Sequence, residues 1–462
     1  MRQDDKNAEI KKLQQEYEDS LTDGRYPVFD SDAYADLAQY YYERGFTQKA
    51  RDVVDTALTV YPDADMPLLF LARFTMLEEN DMMKAKEILD RVSDKFSVDY
   101  AFGKAEWLLY SGRSEEAVIL LDEHFDNVCG DREMADYAED ACRFFLNFQQ
   151  VNNARLWLDH MPDKTSRRYQ LLAAEVQRVD DDWEGCAKML AEMTEKYPFY
   201  CTAWVELAKV QFDLEQLQEA GESCDYALAI DPDNLDAVLI KGDIMNRLGN
   251  FAEAEKCYRR YLEEYPASPG VINQLANLLV NVDDKNLTEA YSMVQEAKKY
   301  VNKHFETPQY ADILQTEAYI YSCMGNMDKA LEDLETIRKL KCREDEELDF
   351  LRANVYLQNG KQLEACLVYD RILRLKNWPM DLVMRVGTCL FENHFFEIGN
   401  YEMDQAIKVH SEENCTVEVL AIKALFSFAC DNREEYEHFR QKAMEKDKET
   451  AWAILKVIEE NK

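Results

Sequence analysis

The chain has 462 residues, with 54 Lys plus Arg against 91 Asp plus Glu, for a formal net charge of −37. A surface this negative repels phosphate backbones and anionic lipid, which excludes nucleic acid and membranes as default partners. With 47% hydrophobic and 11% aromatic residues, and only 14 Gly and 10 Pro, the composition also excludes disorder and points to helices throughout.

The opening residues MRQDDKNAEIKKLQQEYEDS lack the apolar core of a secretory signal and are expected to form a polar helix over 8–20. Asp23-Gly24-Arg25-Tyr26-Pro27 predicts a turn after it. From Ser31 onward a repeat takes over. Its period is set by Pro198, Pro232 and Pro266, which stand 34 residues apart. Ser31–Ala64 carries Tyr34, Leu37, Ala38, Tyr41, Gly45, Ala50, Val54, Ala57 and Pro62 in that register. A weaker copy covers 65–97 and a clearer one Val98–Asp131, with Ala105, Leu108, Gly112, Ala117 and Leu121. Another weak copy spans 135–165, and Arg167–Tyr200 follows with Ala173, Ala174, Cys186, Leu190 and Pro198.

The centre of the chain shows the pattern best. Cys201–Asn234 has Trp204, Leu207, Ala208, Ala220, Cys224, Ala227 and Pro232, and Leu235–Ser268 has Val238, Gly242, Gly249, Ala254, Tyr258 and Pro266. Pro269–His304 keeps the register, but Val282–Thr288 lengthens its internal turn by two residues. Ala311–Lys341, Glu346–Leu375, Met380–His410 and Val417–Lys446 continue it. Ala451, Trp452, Ile454, Leu455 and Ile458 then place one apolar face on a closing helix. The expected organisation is a polar helix and turn over 1–30, about 12 repeats over 31–446, and a capping helix over 447–462.

These residues resemble the tetratricopeptide repeat (TPR), whose consensus has a large residue at position 4, Leu at 7, a small residue at 8, an aromatic at 11, Ala at 20 and 27, and Pro at 32. Positions 4, 7, 8 and 11 share one face of a first helix, and 20, 24 and 27 share one face of a second. Small residues let the two backbones approach, and one such pair cannot bury its own apolar face, so pairs must stack. The resemblance implies an all-α TPR solenoid, a right-handed superhelix of antiparallel helix pairs. The chain is also similar to the long, acidic, TPR-only proteins of bacteria.

The resemblance further implies that positions 2, 5, 9, 12 and 13 of each first helix face a concave groove that takes partner peptides. In the central copies those positions hold Lys209, Asp243, Asn246, Arg247, Asn273 and Asn277. Asn offers a donor and an acceptor to an extended backbone, and Arg247 could receive a carboxylate. No copy has the Lys and Asn at positions 5 and 9 that mark carboxylate-clamp members of the family, which counts against an acidic peptide ligand. Tyr40 and Phe350 are candidates for exposure as aromatic anchors.

Little points to catalysis. The six His are scattered, and no phosphate-binding, nucleophile-elbow or metal-ligand motif occurs. The 12 Cys stand singly along helices, as small buried side chains in a reducing compartment do. Basic stretches at Lys298–Lys299, Arg338–Arg343 and Arg371–Lys376 suit helix C-termini; alternatively they form a strip that pairs with an acidic surface. The expectation is a cytoplasmic, non-enzymatic scaffold without metal or cofactor. Its partner would be a neutral or basic protein or peptide, with self-association or a peptide-receptor role as alternatives.

Overall fold

The computed structural model describes residues 3–22, 27, 29–282, 286–301 and 307–459. Among these there are 26 helices and no strand. Helix α1 (Gln3–Thr22) precedes a series of helix pairs: α2 (Ser31–Glu43) with α3 (Thr47–Val60), α4 (Asp65–Leu77) with α5 (Met82–Arg91), α6 (Val98–Tyr110) with α7 (Ser114–Phe125), and α8 (Asp131–Asn147) with α9 (Val151–Asp159). The series continues with α10 (Arg167–Val179) and α11 (Trp183–Lys196), α12 (Cys201–Asp213) and α13 (Leu217–Ile230), α14 (Leu235–Arg247) and α15 (Phe251–Glu264), and α16 (Pro269–Val282) and α17 (Leu287–Tyr300). Then come α18 (Thr307–Cys323) and α19 (Met327–Leu340), α20 (Asp345–Gln358) and α21 (Gln362–Leu375), α22 (Met380–Glu392) and α23 (Phe396–His410), α24 (Val417–Ala429) and α25 (Arg433–Lys446), and last α26 (Lys448–Glu459). Two expected turns fall largely outside the described residues: 23–27, of which only Pro27 is seen, and 283–285 within Val282–Thr288.

The chain divides into two compact units. One comprises Met1–Leu278 with Gln295–Phe305, the other Leu279–Val294 with Glu306–Lys462. Within each, helices of a pair lie against each other, most extensively α12 on α13 and α24 on α25. The contacts are made by the spaced residues of the repeat. Tyr34, Leu37, Ala38, Ala50, Val54 and Ala57 are all fully enclosed in the first pair, and Ala353, Ala365, Tyr369 and Ile372 are in the tenth. Side-chain oxygens of Asp30, Ser97, Ser166, Asn234 and Thr416 start first helices by accepting from exposed backbone N–H groups. The pairs are tied to one another by a recurring reach. Arg91 and Arg260 each donate at 2.7 Å to the carbonyl of a proline in the preceding repeat, Pro62 and Pro232.

In ten of the described pairs the turn has one backbone form whatever its residue. Gly45, Gly112, Gly249, Gly325 and Gly360 have φ between 71° and 78°. Gln149, Asp181, Glu215, His394 and Asp431 occupy the same place in other pairs with φ between 56° and 64°. The left-handed turn is thus a property of the paired helices, enforced even where a side chain opposes it.

Several expectations are corrected. Tyr40 and Phe350 are not exposed anchors; they are 9% and 7% exposed. Each lies beneath a guanidinium, Arg44 at 3.7 Å and Arg385 at 4.3 Å. Cys129 is exposed, whereas Cys142, Cys186, Cys224, Cys257 and Cys415 are buried. Helices α8 and α18 begin four residues ahead of the expected copies at 135 and 311.

Candidate functional site

In the first unit, the α1–α2 end of the chain meets the end of α15. Arg44 donates to Glu264 at 3.0 Å across 220 positions of sequence, and Lys11 pairs with the same carboxylate at 2.9 Å. Burial alone would raise the Glu264 carboxyl, but its hydrogen bonds from Lys11 and Arg44 hold it below its ordinary value. The Arg44 guanidinium also lies 5.0 Å from the Tyr265 ring, so it is held between two tyrosines. The approach is close: a Cβ on Gly45 would sit 2.2 Å from the Ala267 carbonyl oxygen. Here glycine is required by space as well as by its φ of 78°.

Beside this contact lies a cleft of about 1210 Å³. Helix α1 contributes Glu9 and Lys11, and α2 with its cap contributes Asp30, Asp32, Asp36, Gln39, Tyr40, Glu43 and Arg44. The other wall carries Asp231, Asp233, Asp236, Arg260, Tyr261, Glu263, Glu264 and Tyr265. Ten carboxylates therefore face three cations. Those cations are already turned to carboxylates: Lys11 and Arg44 to Glu264, and Arg260 to Asp233 at 2.9 Å. Tyr261 and Tyr265 stack with ring centres 5.1 Å apart. The chemistry on offer is a negative field over aromatic faces.

The residues singled out from sequence sit on neighbouring first helices of this unit. Lys209 is bound to Glu206 at 2.8 Å and lies 3.8 Å from Asp236, a residue of the cleft. Arg247 pairs with Glu215 and approaches the Phe212 ring. Asp243 accepts from the buried Tyr258 hydroxyl at 2.7 Å and from Gln274 at 3.1 Å; burial raises its carboxyl although the Tyr258 bond lowers it. Asn246 also bonds Tyr258. The Oδ1 of Asn273 is enclosed without a hydrogen-bond partner, and Asn277 is exposed. Asp243 is thus an acceptor that locks α15 onto α14, which its position in the repeat did not reveal. The cleft joins residues too far apart in sequence for the repeat register alone to reveal it. The same positions in the first copy give Asp32, Gln39 and Glu43, all of which line it.

The basic stretches of the second unit are consumed locally. Arg338 and Arg371 both bind Asp349, Arg343 binds Asp312 and Glu347, and Lys376 binds Glu346 at 2.7 Å. Among the described residues, no three or more His, Cys, Asp or Glu side chains are placed to hold a metal ion. Nor is any helix there long and apolar enough to cross a membrane.

Stacked helix pairs with one repeated turn define a helical-repeat protein. The sequence profile described as the tetratricopeptide repeat matches residues 211–278, from the end of α12 into α16. Described pairs on either side of this match keep a left-handed turn, and the chain is an all-α helical-repeat protein that carries a tetratricopeptide-repeat match over 211–278. Repeats of this kind generally mediate protein–protein interaction on a fold that is typically a non-catalytic scaffold. Among solved structures, a tetratricopeptide repeat protein from Parabacteroides merdae is 16% identical, with a TM-score of 0.40 over 62% of this chain and 96% of its own. Human IFIT1, solved as a dimer with PPP-AAAA, is 15% identical with a TM-score of 0.47, over 82% and 90% of the two chains. MamA is 14% identical with a TM-score of 0.31, over 36% and 94%. No curated protein matches the chain.

Proposed function

We propose that this protein is a non-enzymatic, cytoplasmic scaffold that binds a basic, extended segment of a partner protein. The observation that carries the reading is the cleft of the first unit, with ten carboxylates, three internally paired cations and the tyrosines Tyr40, Tyr261 and Tyr265. Lysine or arginine side chains of a partner would exchange water for the carboxylates of the cleft, beside the tyrosines that Arg44 already covers. We also propose that Lys209, Asn246, Arg247, Asn273 and Asn277 extend this surface, with the asparagines holding the backbone of the segment, while Asp243 holds α15 to α14.

The test is a calorimetric titration with a lysine-rich peptide and its acidic counterpart. The basic peptide should bind, weaken steeply as salt rises, and lose most of its affinity to the triple variant Asp32→Asn, Asp36→Asn, Asp233→Asn. Equal binding of both peptides would refute the reading. A second arm separates the two parts of the surface: Asn273→Ala with Asn277→Ala should weaken binding independently of salt, and no change would remove them from the site.

A further inference from the structure

Two cations meet at Glu264, and they are held differently. Arg44 donates to its Oε1 at 3.0 Å. The Arg44 side chain is 11% exposed, and its guanidinium lies between the Tyr40 and Tyr265 rings, 3.7 Å and 5.0 Å away. Lys11 lies 2.9 Å from the same oxygen and donates to Oε2 at 3.1 Å, with its side chain 53% exposed. Arg44 is therefore built into the fold. Lys11 makes an open ion pair, of the kind that adds little to stability and exchanges readily with water.

Helix α1 shows the same division along its length. Its C-terminal half is anchored. Tyr17 is buried edge-on against Tyr34, with ring centres 6.5 Å apart, and the Glu18 carboxylate accepts from the Tyr41 hydroxyl at 2.8 Å and from Lys49 at 2.9 Å. Its N-terminal half turns Glu9, Ile10, Lys11 and Leu13 to the cleft, with Ile10 and Leu13 half-buried and Lys11 the one cation among the four. The cleft thus already holds a lysine of the chain's own, seated on a carboxylate that it can leave.

We propose that Lys11 is an internal competitor for the cleft: it takes at Glu264 the place of a partner's lysine, and a basic segment binds by lifting the N-terminal half of α1 from α15. The proposal rests on the reading of the cleft as a site for a basic segment. When Lys11 leaves, Oε2 of Glu264 loses the Lys11 bond while Arg44 keeps Oε1, so an arriving ammonium finds a carboxylate oxygen already placed. It also meets a more negative cleft, because one of the three cations on the walls has moved out. The anchors at Tyr17 and Glu18 keep the displaced half tethered, so Lys11 returns when the segment departs.

The experiment titrates a lysine-rich peptide into the full-length protein and its Lys11→Met and Lys12→Met variants. Lys12 is 78% exposed, pairs with Glu16 at 3.6 Å and does not line the cleft, so it controls for the lost charge. Lys11→Met should tighten binding about 2–5-fold more than Lys12→Met does. In the wild-type protein, amide hydrogen exchange over residues 8–16 should quicken as peptide is added, and that over 17–20 should not. Equal affinities for the two variants, or exchange over 8–16 that the peptide leaves unchanged or slows, would overturn the proposal while keeping the cleft as the site. A peptide that binds none of the three proteins would refute the reading of the cleft, and the proposal with it.

Discussion

Carboxylates crowd both the cleft beside α1, α2 and α15 and the core of the last helix pairs, but they act in opposite ways in the two places. In the cleft most face water, where charge costs little and creates a long-range field. In the last pairs one buried cation gathers partly exposed carboxylates around itself. Lys423 is fully buried, and its ammonium contacts Asp404 at 2.7 Å, Glu435 at 3.1 Å and Asn400 at 2.7 Å. Glu435 in turn accepts from Ser427 at 2.9 Å. The difference teaches that a net charge of −37 says little until burial is known. The open carboxylates set what the surface attracts, and the ones drawn to a buried cation set how the helices must sit.

The comparison breaks most readily at Lys423. Lys423→Ala would empty a fully buried site and take the cation from Asp404 and Glu435, at a cost of about 2–5 kcal/mol, measured by denaturant unfolding followed on the second unit. A loss below about 1 kcal/mol would show that the buried ammonium and its stem contribute little to the fold. Next in size is the pH dependence carried by Glu402. Its folded-state value is raised from 4.5 to about 7, so stability should fall as pH rises between those values and then level off. The full effect is at most about 3 kcal/mol, and Glu402→Gln should remove it from thermal melts.

Smaller effects sharpen the role of the turns. Glu215→Gly and His394→Gly should each stabilise by about 0.5–1 kcal/mol, because a side chain now occupies a left-handed position. Gly112→Ala should cost a similar amount, since its φ of 73° is unfavourable to alanine although nothing lies within 4 Å of the new methyl. The smallest effect belongs to the cleft. Asp32→Asn should leave stability within about 0.5 kcal/mol while weakening the basic peptide. A larger stability change would mean that Asp32 serves the fold.

The repeat was legible because its physics is local. Ala38, Ala50 and Ala57 sit at fixed spacing so that two adjacent helices can touch, and that spacing survives in the sequence. The turns were half legible. Glycine announced five of them, but Gln149 and Glu215 take the same conformation with no sign in their chemistry. The candidate cleft was largely hidden. Asp32 and Glu43 follow from the repeat register, whereas Glu264 and Tyr265 lie more than two hundred positions away in the chain. Tyr40 and Phe350 were misread for a related reason: the arginines that cover them come from outside the repeat pattern. Arg44 lies one helical turn away on the same helix, and Arg385 comes from the next repeat.

The bond from Arg44 to Glu264 also bears on how such a chain can be inherited. Tandem repeats grow and shrink by copying or losing whole copies, and most of the contacts described here would survive that, being made between neighbours. This one would not. One additional pair anywhere between α3 and α14 would carry Glu264 and the Ala267 carbonyl away from Arg44 and the bare backbone of Gly45. The contact works as a ruler that fixes the number of copies from α2 to α15, so descendants that keep it should differ there by substitution and not by length.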